Sequence, residues 1–254
     1  LGGGAAGDVG GMAAATFKRG VPLALFPTTL LAQVDAAIGG KNAIDLDGLK
    51  NMVGSFHPPV LVGVDPLCLL TLPEREWRSG WAEVVKAGLI GDPELLDLCE
   101  READALLARR LDVVEEAVER AIRVKVAVVE EDPEEGDRRR VLNLGHTLGH
   151  ALEAAGGGRW THGEAIAVGL VAEARMGERI GITEAGVADR IERALAALGL
   201  PTGPDADPDA AELLDALRND KKRAGGKVHV PLPVRAGEIR IAALDETDLR
   251  AAIA

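Results

Sequence analysis

Three of the chain's five histidines fall between positions 146 and 162, in the stretch RRRVLNLGHTLGHALEAAGGGRWTHGE that runs from Arg138 to Glu164. His146 and His150 stand four apart, so on a helix they share one face. His162 follows a Gly-rich turn, within Thr161-His162-Gly163-Glu164. Neutral imidazole is the commonest side-chain ligand of a transition metal, and a helical pair plus a later ligand is a recurring zinc arrangement. One carboxylate would complete a three-ligand set with an open position, the catalytic pattern rather than the structural one. The fold must therefore bring a helix, a residue beyond a turn and an acid to one point. Glu83, Glu153 and Glu164 are the candidate acids. Glu83 sits three residues before Lys86 in an apolar segment, where a simple intrahelical ion pair is the bland account.

At 254 residues the chain can bury a large core as one domain or two. It carries 41 acidic against 29 basic residues, a net charge of −12, which argues against nucleic acid as a partner. The basic runs Arg138 to Arg140 and Lys221 to Arg223 suit a small anion, although most such runs are solvated surface. Cys68 and Cys99 form neither a disulfide framework nor a CxxC pair and read as thiols in a reducing compartment. No apolar run reaches the roughly 18 residues that cross a bilayer, and no signal-peptide pattern is present. A cytoplasmic-type protein is expected. Leu1 opens straight into Gly2-Gly3-Gly4 with no strand before it, so an amino-terminal segment is expected to be missing.

The pattern predicts an α/β front followed by a mainly helical part, with the seam near Thr71: residues 1–71 and 72–254. Strands are expected at Val21–Phe26 and Val60–Val64, and a helix from Gly10 to Arg19 behind a glycine loop. Helices are expected from Pro73 and from Asp92-Pro93, and over one long amphipathic stretch, Arg101–Glu131. Further helices are expected at His146–Ala155, Glu164–Ile180, Glu184–Leu198 and Asp209–Leu217, with a late hairpin or edge strands at Val228–Val234 and Ile239–Ala242.

Gly2 to Asp8 could let backbone N–H groups approach a pyrophosphate, though a plain glycine turn fits equally well. Thr28 and Thr29 offer hydroxyls at a strand end. Lys41 and Lys50 flank a short loop as point charges for phosphate or carboxylate, or as ordinary surface lysines. Lys125 interrupts an apolar helical face. Arg139, Asn143 and His146 offer guanidinium, amide and imidazole to a polyoxygenated anion.

Taken together, GGGAAGD, RGVPLALFPTTLLAQVDAAIGGK, KNMVGSFHPP, LPEREWRSGWAEVVKAG, EDPEEGDRRRVLNLGHTLGHALE, THGEAIAVG and NDKKRAGGK resemble the 3-dehydroquinate synthases of the sugar-phosphate cyclase family, in family order from Gly2 to about Lys227. The resemblance implies a partial Rossmann-like nucleotide-binding front, a helical metal- and substrate-binding part, and an NAD- and zinc-dependent lyase of the shikimate route, with Co2+ an alternative metal. It implies zinc on Glu83, His146 and His162, and moves His150 to the substrate side, where spacing alone would have paired it with His146. Catalytic positions would be Lys86, Lys125, Arg139, Asn143 and His150. Substrate contacts would come from Arg19, Asp35, Lys41, Asn51 and Lys222. The dinucleotide would lie on Gly4, Ala5, Ala6, Gly7, Asp8, Thr28, Thr29, Lys41, Lys50 and the turn Cys68, Leu69, Leu70 and Thr71. A small sugar phosphate is the expected partner, and a homodimer the expected assembly. Two positions depart from the family pattern: Leu49 where a Gly is usual, and Asn42 where a Thr is. The rival readings are another sugar-phosphate cyclase, of the 2-deoxy-scyllo-inosose or valiolone type, a metal-dependent alcohol or glycerol dehydrogenase, and a remnant that binds metal only.

Overall fold

The computed structural model describes residues 1–46, 49–203 and 227–245. Short strands organise the front. Helix α1 (Gly4–Thr16) passes through a 3-10 turn at Phe17–Arg19 to strand β1 (Ala24–Leu25), which runs parallel to β4 (Leu61–Val62). A π-type turn at Ala32–Ala36 and the antiparallel hairpin of β2 (Lys41–Leu46) and β3 (Leu49–Phe56) lie between them. The remainder is mainly helical: α2 (Glu74–Gly91), α3 (Pro93–Arg101), α4 (Ala103–Leu107), α5 (Leu111–Glu131), α6 (His146–Ala155), α7 (His162–Arg179) and α8 (Val187–Ala197). The antiparallel pair β5 (Val228–Arg235) and β6 (Glu238–Leu244) closes the described part.

Helix α2 explains the packing. From Trp77 to Ile90 almost every residue is buried, so no face is left for water and the helix must be surrounded. It packs on α3, α5, α7 and α8. Trp77 and Trp81 meet edge to face at 5.1 Å near its start. Helix α7 is nearly as enclosed. A polar side chain on either helix therefore enters a dry interior, where it needs a partner or a function.

Several expectations need correcting. The glycine run is not a loop ahead of a helix beginning at Gly10: α1 already starts at Gly4, so Gly4 to Asp8 form its first turns. The strand expected at Val21–Phe26 is in register only at Ala24–Leu25. The single helix expected over Arg101–Glu131 is broken between α4 and α5, where Arg109 takes a φ of 59°. Its guanidinium donates to the carbonyls of Leu70 and Leu72 and stacks on Trp77. These tertiary contacts override a continuous apolar pattern. Lys41 and Lys50 do not flank a loop but lie on the two strands of the β2–β3 hairpin. The helix expected at Asp209–Leu217 lies outside the described residues. Both cysteines are free thiols, and burial pushes Cys99 up to about 12. Among the described residues no helix is long and apolar enough to cross a membrane.

Candidate active site

Three helices meet at one point, and glycine sets their approach. Gly163, at the start of α7, lies so close to α2 that a Cβ there would overlap the Ser79 carbonyl oxygen. Its N–H donates to Ser79 Oγ at 3.1 Å. The same end of α7 has a capping box between Thr161 and Glu164, and Arg75 of α2 grips Glu164 with two N–H groups at 2.9 and 2.7 Å. The start of α7, and His162 with it, is thereby fixed against Ser79, which lies one helical turn along α2 from Glu83. Helix α6 is set just as firmly. It starts after Gly145 in the left-handed region at φ 78°. A side chain at Gly145 would strike Leu170, and one at Gly169 would overlap the Gly145 carbonyl. Glu173 of α7 accepts from the N–H groups of Gly145 at 2.6 Å and Leu148 at 3.3 Å, capping the helix from outside.

These constraints place Glu83, His146 and His162 with one ligand atom each within 4.8 Å of one another. Glu83 is 2% exposed. Its Oε1 accepts no hydrogen bond and lies 3.4 Å from His162 Nε2 and 3.8 Å from His146 Nε2. His146 Nδ1 faces the Leu144 carbonyl at 3.0 Å; donating there leaves the Nε2 lone pair directed at Glu83. Burial and the nearby Lys86 charge lower His146 to about 3, so it is neutral, as a ligand must be. An orphaned, buried carboxylate oxygen between two imidazole nitrogens is a donor set that fits a divalent cation. Burial disfavours the charged form of His162, but Glu153 and Glu83 outweigh it and carry its pKa up to about 9, so a cation bound here would displace a proton from His162. His150 stands beside this set, its ring 5.1 Å from that of His146 and 6.1 Å from that of His162.

A buried charge chain runs from the same point. Lys86 pairs with Glu83 and lies 3.6 Å from Asp35, and Lys125 pairs with the same Asp35 oxygen. Burial works against ionisation of both acids. The Lys125 and Lys86 charges nevertheless hold Asp35 far below the usual range, and Lys86 holds Glu83 at about 2. Burial pulls Lys125 down, whereas for Lys86 it is outweighed by Asp35 and Glu83, which raise it. Two acids thus balance two ammonium groups, with Glu83 and Lys86 out of water and Asp35 partly exposed. Asp35→Ala leaves two buried ammoniums sharing one acid, and urea unfolding at neutral pH is expected to show a loss of about 3–5 kcal/mol. A loss below about 1 kcal/mol, the size seen for exposed pairs, would contradict this description.

The rim forms where the start of β2 meets the segment before α6. Glu135 joins Lys41 to Asn143, accepting from Asn143 Nδ2 at 3.3 Å. Arg139 is buried and donates to the carbonyls of Gly39 at 2.9 Å and Pro133 at 2.5 Å, while its Nε has no partner. Arg19 is exposed at the end of the 3-10 turn, and Asn51 is exposed on β3, its N–H bonded to Asp45 at 2.9 Å. Lys222 lies outside the described residues, and Lys50 is placed only as part of β3. Asn42, the departure beside Lys41, is buried, donates to the carbonyls of Gly40 and His57, and packs against Gly11 of α1.

The N-terminus of α1 opens on a cavity of about 100 Å³ lined by Gly2, Gly3, Gly4, Gly7, Ala32 and Ala36, among others. Gly3, the residue before α1, supplies no side-chain cap, so the first N–H groups of the helix have no intrahelical partner. Such an end takes an anion readily. Thr28 N–H bonds to the Gly2 carbonyl at 2.9 Å, and Thr29 Oγ1 accepts from Ala32 N–H at 3.2 Å. Cys68 to Thr71 belong to a 3-10 turn in which Leu69 is buried in the core. The sequence reading overlooked Glu135, Glu173, Arg75 and Ser79. Only Glu173 left a trace, as an acid in register with the buried positions Ile166, Gly169 and Leu170 of α7.

This chain's fold matches those of solved sugar-phosphate cyclases. The 2-epi-5-epi-valiolone synthase of Streptomyces hygroscopicus subsp. jinggangensis 5008, solved with NAD+ and Zn2+, superposes with a TM-score of 0.91 at 28% identity, over 99% of this chain and 71% of that one. A 2-deoxy-scyllo-inosose synthase complexed with carbaglucose-6-phosphate, NAD+ and Co2+ gives 0.89 at 28% identity, over 100% and 72%. The family models for the N-terminal and C-terminal parts of 3-dehydroquinate synthase match residues 1–79 and 80–223. The 3-dehydroquinate synthase of Symbiobacterium thermophilum is 49% identical over 94% of this chain, which spans 67% of that relative. The chain belongs to the 3-dehydroquinate synthase family.

Proposed function

We propose that the chain converts 3-deoxy-D-arabino-heptulosonate 7-phosphate to 3-dehydroquinate and phosphate, as an NAD- and zinc-dependent carbon–oxygen lyase of the shikimate route. The observation that carries this reading is the orphaned Glu83 Oε1 between His146 and His162, beside a buried pair of lysines. Relatives at 42–50% identity over most of the chain carry the dehydroquinate name, whereas the valiolone and inosose synthases stand at 28%, which favours dehydroquinate over its siblings.

Glu83, His146 and His162 would hold the metal. A bound metal would supply polarisation of a substrate hydroxyl, and a bound nicotinamide a hydride acceptor and donor, chemistry that would make the neighbouring proton acidic enough to leave. The side chains do the rest. Lys86 and Lys125 hold the substrate's anionic groups in a water-poor pocket, releasing part of their hold on Asp35 to do so. Arg139 and Asn143, with Lys41, grip oxygens at the rim, and His150 moves a proton at the reacting carbon. Arg19, Asp35, Asn51 and Lys222 are assigned to substrate binding. Gly4 to Asp8 at the start of α1 would hold the dinucleotide phosphates, and Thr28, Thr29, Lys41, Lys50 and the turn from Cys68 to Thr71 would hold the remainder. Residues 1–71 would thus serve the nucleotide and 72–254 the metal and substrate. The working form is a cytoplasmic homodimer.

The test is an assay of the purified chain with the seven-carbon substrate, NAD and Zn2+. Phosphate and 3-dehydroquinate should appear in equal amounts with no net NADH. Net NADH from glycerol or another simple alcohol, without phosphate release, would overturn the reading in favour of a dehydrogenase. Turnover of the sibling cyclases' sugar phosphates alone would overturn the choice of substrate.

A further inference from the structure

Both imidazoles that face Glu83 do so through Nε2, and each has its other nitrogen engaged. His146 uses the Leu144 carbonyl. His162 uses a carboxylate: its Nδ1 lies 3.4 Å from Glu153 Oε2. Glu153 has a side chain only 10% exposed and stands on α6 three residues after His150 and seven after His146. One stripe of α6 therefore carries a ligand of its own and, two turns further on, the acid that touches the ligand from α7. Glu164, the other acid near His162 in sequence, is committed to Arg75 and the capping box.

We infer that Glu153 is a positioning residue for the metal centre: it accepts the Nδ1 proton of His162, fixes that tautomer and turns Nε2 toward Glu83. The inference rests on the ligand set of the proposed function. A carboxylate behind a ligating imidazole fixes the ring's orientation and raises its basicity, and its loss typically costs about 10–100-fold in metal affinity. Because Glu153 belongs to α6 and His162 to α7, the contact also ties the two helices that deliver the imidazoles. His150, Glu153 and His162 form a second close group, their ligand atoms within 4.8 Å. A second ion there would need His162 to ligate through Nδ1, the nitrogen that the proposal assigns to the proton.

The test is titration of the metal-free chain with Co2+, followed by visible absorption against a competing chelator. The variants are Glu153→Gln, Glu153→Ala and His162→Ala. Wild type is expected to take one Co2+. The Gln variant, which keeps a neutral acceptor, should bind about 10-fold more weakly and the Ala variant about 100-fold more weakly. Melting of the metal-free Gln variant should match wild type, since a purely structural role would lower it in parallel. Unchanged affinity in both Glu153 variants, or loss of affinity only in step with lost metal-free stability, overturns the inference. So does binding of two Co2+ by wild type that falls to one in Glu153→Ala, which would make Glu153 a ligand. His162→Ala separates the levels: if it binds Co2+ as wild type does, the ligand set itself fails. If it weakens binding while the Glu153 variants do not, only the positioning role fails.

Discussion

His146→Ala is expected to remove stoichiometric metal and turnover together. The imidazole is the only side chain that α6 contributes to the set around Glu83. Its nitrogen is held neutral by burial and by Lys86, so little free energy is needed to present the lone pair. Removing it leaves Glu83 and His162, two ligands where a catalytic site needs three. The loss should exceed the roughly 10–100-fold that follows removal of an outer partner. Metal content after dialysis and kcat/KM with saturating Zn2+ are the two readings. Retention of one tightly bound ion per chain would remove His146 from the ligand set.

Gly163→Ala is the second large effect, and it adds only a methyl group. That methyl would overlap the Ser79 carbonyl, so the start of α7 must move away from α2, carrying His162 from Glu83. Overpacking of this kind costs about 1–3 kcal/mol of stability, and a displacement near 1 Å at a reacting centre costs on the order of 10²-fold in rate. Ser79→Ala is the informative comparison. It removes the hydroxyl that accepts from Gly163 N–H but leaves the close approach intact, so it should cost about 1 kcal/mol and little activity. Equal metal affinity and kcat/KM for Gly163→Ala and wild type would show that this contact does not set the site.

Helix α6 was readable from the chain because its apolar spacing runs unbroken from His146 to the glycines after Ala155, and the structure gives the same bounds. The late hairpin was readable for a similar reason: two β-rich runs flank a short polar turn containing Gly237. The break before α5 was not, because Arg109 is held in its left-handed conformation by Leu70, Leu72 and Trp77, which are remote in sequence. The site divides in the same way. Periodicity put His146 and His150 on one face and could go no further. Choosing Glu83 over Glu153 and Glu164, and setting His150 aside from the metal, took the family resemblance, since the distance between an acid on α2 and an imidazole on α7 is set by Ser79, Gly163 and Arg75. Glu153 drew notice in the sequence as a possible ligand, whereas the structure sets it behind His162. Glu173 is a more severe case. Buried and raised to about 8 by that burial, it caps a helix 25 residues and more upstream. Only the packing of α6 on α7 reveals this.

The central claim is that one divalent ion is held by Glu83, His146 and His162, each from a different helix. Anomalous diffraction at the zinc edge from crystals of the Zn2+-loaded chain measures this directly. The account predicts one strong peak about 2.0–2.2 Å from a Glu83 oxygen and from Nε2 of both imidazoles. A peak on His150 and Glu153 with Glu83 bare, or no ordered peak near these helices, would contradict it.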